Sequence, residues 1–352
     1  MSLKNEILEQ PQAIARLLEL QADEVVKVAD RIRNFNADFV FIAARGTSDN
    51  AGLYAKYLWG AFNRLPMALA APSLFSVYQT PPDIADALVI GISQSGQSPD
   101  IVSVMTEGRR QGALTLAITN DPSSPLAAES ELVIDLMAGP ELSVAATKTY
   151  TAQLVAVAML SAALAEDDDR WDWLRRLPAL GSELLTLDET VERAAERYRF
   201  MEQCVVLGRG FNYATAFEWA IKLKELAYVF ADPYSPADFQ HGPVALAHQG
   251  FPVLAVVPRG KVSDNLMQLL NHLVDELKVE LLAVSNEPAA LGLSDTPIPL
   301  PEHIPEWLSP IPAIISAQLF CYHLTRAKGY DTEQPRGLTK VTLTDLITKV
   351  LL

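Results

Sequence analysis

The chain is poor in cysteine, with two in 352 residues: Cys204 in a strand-like run and Cys321 in a helix-like one. Two distant thiols supply neither a disulfide framework nor metal-ligand spacing, so reduced core thiols and no metal are expected. Histidine is scarce as well, at five. No apolar run reaches the roughly 18 residues needed to span a bilayer. The opening Met1-Ser2-Leu3-Lys4-Asn5-Glu6 lacks the apolar core of a signal peptide. A cytoplasmic protein without membrane association is therefore expected. Positive charge is also in deficit, with 28 Lys and Arg against 43 Asp and Glu, a net −15 and a pI near 4.8. Such a surface argues against general nucleic-acid or anionic-membrane binding. It does not exclude a phosphorylated small molecule held by local donors. What the chain does have is a core: 49% of it is hydrophobic and only 20% charged, and its length allows two domains.

Strand-like and helix-like segments alternate. Residues 3–33 read as helical, with Pro11 dividing a short helix from a longer one. Strands are expected at 38–44, 67–71, 87–92, 113–118 and 131–136, with a helix over 50–64 among those between them. This alternation implies a parallel sheet covered on both faces.

The second half repeats the first. Arg45-Gly46 corresponds to Arg209-Gly210, and the spacing of 50 positions from Gly46 to Gly96 recurs from Gly210 to Gly260. Asp100 and Asp264 each follow four residues later, and Ala152-Gln153-Leu154 is matched by Ala317-Gln318-Leu319. The expected organisation is an N-terminal helical segment (1–33), a subdomain (34–165), an acidic helical connector (166–195), a second subdomain (196–330) and a C-terminal segment (331–352) rich in turn chemistry.

The stretch Ser93-Gln94-Ser95-Gly96-Gln97-Ser98 lies between a buried strand and a helix opened by Pro99-Asp100. Three hydroxyls, an amide and a glycine at a helix start suit an anion, although an ordinary capped turn has the same elements. Its repeat-mate, Val257-Pro258-Arg259-Gly260-Lys261-Val262, has no hydroxyl cluster. In the second half, Ala214–Phe230 reads as a largely buried helix. Glu218, Lys222 and Glu225 fall within about 60° of one another on it. They form either a surface ion pair or an acid–base group held out of water. His241, in the turn-like Asp238-Phe239-Gln240-His241-Gly242-Pro243, is a candidate proton shuttle or a solvated side chain. Thr147 reads as a cap for a helix over 147–164.

These residues resemble the sugar isomerase (SIS) superfamily in its double-domain form, the form found in the isomerase half of glutamine–fructose-6-phosphate aminotransferase. The resemblance runs from about residue 38 to 342. It rests on Gly46-Thr47-Ser48, Ser93-Gln94-Ser95-Gly96, Val144-Ala145-Ala146-Thr147-Lys148, Leu207-Gly208-Arg209-Gly210, Glu218 through Glu225, His241-Gly242-Pro243 and Gln334-Pro335-Arg336. It implies two tandem, doubly wound α/β subdomains of flavodoxin-like type. Thr47, Ser48, Ser93, Gln94, Ser95, Gly96 and Ser98 are then the sugar-phosphate site, with Val144 and Ala146 also at the substrate. Glu225 would move a proton between C1 and C2 of the open-chain sugar, with Lys222 and Glu218 as its helix partners. His241 would open the sugar ring from a neighbouring subunit, which implies a homodimer, and Lys340 would form an imine with the ketose carbonyl. No cofactor is implied.

Two departures stand out. The sequence contains no glutaminase segment, and Ala146 replaces a serine of the aminotransferase. The expected activity is aldose–ketose proton transfer on an amino or keto hexose 6-phosphate, as a glucosamine-6-phosphate deaminase or an ammonia-dependent synthase. Cleavage of fructosamine 6-phosphates is the nearest alternative, synthesis with a separate glutaminase subunit is another, and a non-catalytic sugar-phosphate sensor is the alternative of a different class.

Overall fold

The structure is a computed structural model in which residues 2–340 are described. In chain order the elements are α1 (Leu3–Leu8), α2 (Gln10–Phe35), β1 (Phe39–Ala43), α3 (Thr47–Asn63), β2 (Met67–Leu69), α4 (Ser73–Ser76), β3 (Ala87–Ser93), α5 (Pro99–Gln111), β4 (Leu114–Thr119), α6 (Pro125–Ala128), β5 (Leu132–Asp135) and α7 (Lys148–Ala165). They continue with α8 (Asp168–Leu185), α9 (Asp188–Arg197), β6 (Gln203–Leu207), α10 (Tyr213–Leu226), β7 (Phe230–Tyr234), α11 (Pro236–Gln240), β8 (Pro252–Val257), α12 (Ser263–Asp275), β9 (Glu280–Ser285), α13 (Pro288–Leu293), β10 (Thr296–Pro299) and α14 (Pro310–Ala327). The break between α1 and α2 falls beside Pro11, whose fixed φ and missing N–H suit the first turn of a helix.

Two compact units emerge, and both are discontinuous in sequence. Among the described residues, the first unit comprises 12–141, 148–177 and 339–340, and the second comprises 2–11, 142–147 and 178–338. The N-terminal helical segment and the helical connector expected from the sequence are each shared between them. Each unit holds one parallel five-stranded sheet, in the orders β2-β1-β3-β4-β5 and β10-β9-β8-β6-β7. Read from β7, the second order is the same as the first, which is the doubly wound α/β arrangement.

The repeat extends to register. Ala43 pairs with Gly91, Leu207 pairs with Ala255, and in both sheets the longer strand runs two residues further. The central strand β3 is buried at all seven positions, which is why it reads as an unbroken apolar run. Pro233 on β7 and Pro297 and Pro299 on β10 occupy the two edge strands of the second sheet, where a missing ladder N–H is tolerated.

One sequence expectation is corrected. The helix expected to run to Phe230 ends at Leu226; Tyr228 takes a left-handed φ of 54°, and Phe230 opens β7, where it is 70% exposed. α7 is long and apolar enough to cross a membrane by length and composition alone. It is 89% buried within the structure, and its Thr, Gln and Ser residues hide its length as an apolar run. Such burial is what a core helix shows.

Candidate active site

In an open parallel sheet, ligands bind outside the carboxyl ends of the strands, where the strand order reverses. In the first unit that reversal lies between β1 and β3, so the loops leaving them, 44–47 and 94–98, flank the switch point. Gly46 enters α3 with a φ of 54° and is followed by half-buried Thr47 and buried Ser48. The Ser48 hydroxyl accepts a 3.0 Å hydrogen bond from the Gln153 amide of α7.

The β3–α5 loop is shaped by its own hydroxyls. Ser93 Oγ accepts from the Gly96 N–H at 3.1 Å, and Ser95 Oγ accepts from the Gln97 N–H at 3.3 Å. Its carbonyls are tied back: Gln94 O accepts from the Asn120 N–H at 3.2 Å, and Gly96 O from the Leu126 N–H at 3.1 Å. Gly96 has a φ of 62°, and a Cβ placed on it would lie 2.1 Å from Ser124 Oγ, so only glycine fits this tight approach. Ser98 stands at the N-cap of α5 in an extended conformation, yet its hydroxyl makes no capping bond. Below the loop, Arg45 Nε donates to the buried Asp100 at 2.7 Å, joining the two loops at the switch point. Hydroxyls and an N-terminal helix turn in this geometry can hold an anion by neutral donors.

The equivalent loop of the second unit is built differently. Lys261 N–H donates at 2.6 Å to the Glu306 carboxylate, and a Cβ on Gly260 would lie 2.1 Å from the same oxygen. An internal carboxylate thus sits against the turn that corresponds to the first unit's open loop.

On α10, the expected trio is assembled. Lys222 Nζ lies 2.6 Å from Glu225 Oε2 and 3.4 Å from Glu218 Oε1, with side-chain exposures of 1% for Lys222, 0% for Glu218 and 29% for Glu225. The ammonium and one carboxylate are out of water, while the second carboxylate is partly open to it. Beside them, burial pushes the Cys321 thiol well up, with Lys222 acting in the opposite sense. This thiol is inert at neutral pH. His241 follows α11 with its side chain exposed, while its backbone N–H donates to Asp238 O at 3.1 Å.

The C-terminal Gln334-Pro335-Arg336 stretch is fixed to the residues just after α10. Arg336 N–H donates to the Tyr228 hydroxyl at 2.8 Å, and its guanidinium lies 3.7 Å from the centre of the Tyr228 ring. In the first unit, Lys340 Nζ lies 2.9 Å from the fully buried Glu141 carboxylate, which also accepts from Thr149 N–H at 3.1 Å and Thr149 Oγ1 at 2.8 Å. Val144 and Ala146 are half-buried in the loop preceding α7.

Sequence reasoning gave no role to Glu141, Gln153 or Arg45. The repeated glutamine was visible as a repeat marker, and only the structure shows that it holds Ser48. Glu141 stood in plain view before the Val144–Lys148 motif, but its partner Lys340 is 199 positions away.

The SIS domain profile matches residues 35–163 and 201–324. Glutamine–fructose-6-phosphate aminotransferase (isomerizing) of Gloeobacter violaceus is 36% identical over 353 residues, covering 95% of this chain and 57% of the relative. That of Pyrococcus horikoshii is 34% identical over 346 residues, covering 95% and 56%. The chain thus spans little more than half the length of these curated relatives. Among solved structures, the C-terminal domain of the Francisella tularensis glucosamine-fructose-6-phosphate aminotransferase has a TM-score of 0.85 at 29% identity, covering 95% of this chain and 98% of that one. A Silicibacter pomeroyi protein, provisionally assigned as a phosphosugar isomerase, has a TM-score of 0.85 at 35% identity, covering 94% of this chain and 100% of that one.

Proposed function

The chain belongs to the SIS domain family, and we propose that it is a phosphosugar isomerase acting on an amino or keto hexose 6-phosphate of the glucosamine 6-phosphate/fructose 6-phosphate type. The observation that carries this reading is Lys222 held between Glu218 and Glu225 on a mostly buried helix. A desolvated lysine beside a partly open carboxylate is suited to taking and returning one proton.

In this reading Thr47, Ser48, Ser93, Gln94, Ser95, Gly96 and Ser98 hold the 6-phosphate, and Val144 and Ala146 contact the sugar. His241, given by a second copy in a homodimer, assists ring opening. Glu225 carries the proton between C1 and C2, while Lys222 and Glu218 set its position and charge. Lys340 transfers a proton to Glu141, then attacks the C2 carbonyl of a ketose; water leaves as the imine forms and returns when it is hydrolysed. The net reaction is deamination of glucosamine 6-phosphate to fructose 6-phosphate and ammonia, or its reverse.

The test is a substrate panel. Ammonia release from glucosamine 6-phosphate is compared with amine release from fructosamine 6-phosphates, in wild type and in Glu225→Gln. Deamination abolished by the variant supports the proposal, and preferential amine release reassigns the chain as a deglycase. Binding of sugar phosphates with no turnover of any would make it a sensor, and a fully active Glu225→Gln would remove the acid–base assignment. Mixed dimers of His241→Ala and Glu225→Gln chains regain activity only if the histidine is donated across subunits.

A further inference from the structure

A buried carboxylate outside the chemistry described above holds the loop that carries Val144 and Ala146. Glu6, on the short helix α1, is fully buried. Its Oε1 accepts from Leu142 N–H at 2.5 Å, and Ser143 N–H is shared between Oε1 at 3.3 Å and Oε2 at 3.2 Å. A buried carboxylate is costly without donors, and here the donors are the two backbone amides at the start of the loop. At the other end of the same loop, Gln318 Nε2 donates to Thr147 O at 3.4 Å. The six residues Leu142–Thr147 group with Glu6 and Gln318 in the second unit, although the chain on either side of them belongs to the first. The two backbone amides at the head of the loop are directed by Glu6 of α1.

We propose that Glu6 is a positioning residue of the reaction. It sets the conformation of Leu142–Thr147 and thereby the placement of Val144 and Ala146 against the sugar. This rests on the proposed function for the role of those two residues, but not for the tether itself. α1 has a second tether that makes a built-in control: Lys4 Nζ lies 2.7 Å from Asp188 Oδ2 of α9, an ion pair made to a helix and not to the loop. Loosening α1 at Lys4 and cutting the loop contact at Glu6 therefore have different consequences.

The experiment compares Glu6→Ala, Glu6→Gln and Lys4→Ala in the full chain by steady-state kinetics on glucosamine 6-phosphate, thermal unfolding, and amide hydrogen exchange of residues 142–147. Glu6→Ala is expected to lower kcat/KM by tenfold or more, mainly through KM, and to speed exchange at Leu142 and Ser143. Glu6→Gln, which keeps one acceptor oxygen and the side-chain shape, should recover part of both and serves if the alanine variant folds poorly. Lys4→Ala should lower the unfolding temperature while leaving kcat/KM within twofold. Equal kinetic losses at Glu6 and Lys4, or unchanged exchange at 142–143 in both Glu6 variants, would overturn the proposal. If the wild type turns over no phosphosugar, the proposed function fails while the exchange result still decides whether Glu6 holds the loop.

Discussion

Lys222 is the residue whose removal separates stability from chemistry. Its ammonium is 1% exposed and faces Glu218, which is 0% exposed, at 3.4 Å, and Glu225, which is 29% exposed, at 2.6 Å. Lys222→Met takes the counter-charge from a carboxylate that has no access to water. Breaking a buried ion pair from one side costs about 3–5 kcal/mol, because the remaining charge stays desolvated. Glu225 contributes little to that loss, since water reaches it. Adding Glu218→Gln removes the stranded charge while keeping the side-chain shape. The double variant should therefore recover most of the loss and lie within about 1–2 kcal/mol of wild type, a coupling well above the scatter for independent sites. Glu225→Gln alone should cost about 1 kcal/mol or less, as partly exposed pairs do. Its turnover should nevertheless fall by about 10²–10⁴-fold, the usual contribution of a positioned acid–base group. Urea unfolding followed by tryptophan fluorescence supplies the free energies, with the slope on denaturant checked for constancy across variants. A Lys222→Met loss under about 1 kcal/mol, or a double variant no better than the single, would refute the argument that Glu218 is held charged out of water.

Two further perturbations test other parts of the structure. Gly96→Ala must adopt a φ of 62° and place its Cβ 2.1 Å from Ser124 Oγ; it should cost about 2–4 kcal/mol from the left-handed backbone and the overlap together, read as a lower unfolding midpoint, and should raise the KM for a phosphosugar. Asp188 is pulled two ways, burial raising its pKa while hydrogen bonds from Lys4 and His323 lower it, and the net shift is downward. A depressed carboxylate adds stability that is present above its unfolded pKa of about 3.9 and lost as pH falls through the lower folded value. Wild type should therefore exceed Asp188→Asn by about 1–3 kcal/mol near pH 7, with the gap closing below about pH 4 in unfolding curves; a gap independent of pH would contradict this.

Most of the architecture was legible because the signals were local. Runs such as Ala87–Ile92 read as buried parallel strands when helices separate them, and the 50-residue glycine spacing predicts two copies of one sheet. The trio on α10 was legible for the same reason, since helical periodicity alone brings positions 218, 222 and 225 together. The end of that helix was not. Ala227-Tyr228-Val229-Phe230 continues the apolar run without a breaker, and the stop comes from a left-handed tyrosine and from pairing of Phe230 with Gln203. Contacts that join distant parts of the chain were equally invisible. Nothing near Glu141 announces Lys340, and nothing near Arg45 announces an ion pair 55 positions on.

The two switch-point loops show how a sequence difference acquires its meaning only in three dimensions. Pro258-Arg259-Gly260-Lys261 lacks the hydroxyl cluster of its repeat-mate, yet it carries two basic side chains and a glycine. Those residues alone would favour an anion more strongly than Ser93–Ser98 does, because they add positive charge to the same turn. Glu306 resolves the conflict. Its carboxylate takes the Lys261 N–H and fills the space that Gly260 leaves open, so that turn already has its anion and the chain supplies it. In the first copy the turn is held by its own neutral hydroxyls, and its carbonyls are tied back to the Asn120 and Leu126 amides. Open donors without a resident charge suit a ligand that must come and go, whereas a turn closed by its own carboxylate suits a structural joint. Divergence between the repeats therefore lies less in which copy is more basic than in which copy leaves its turn free.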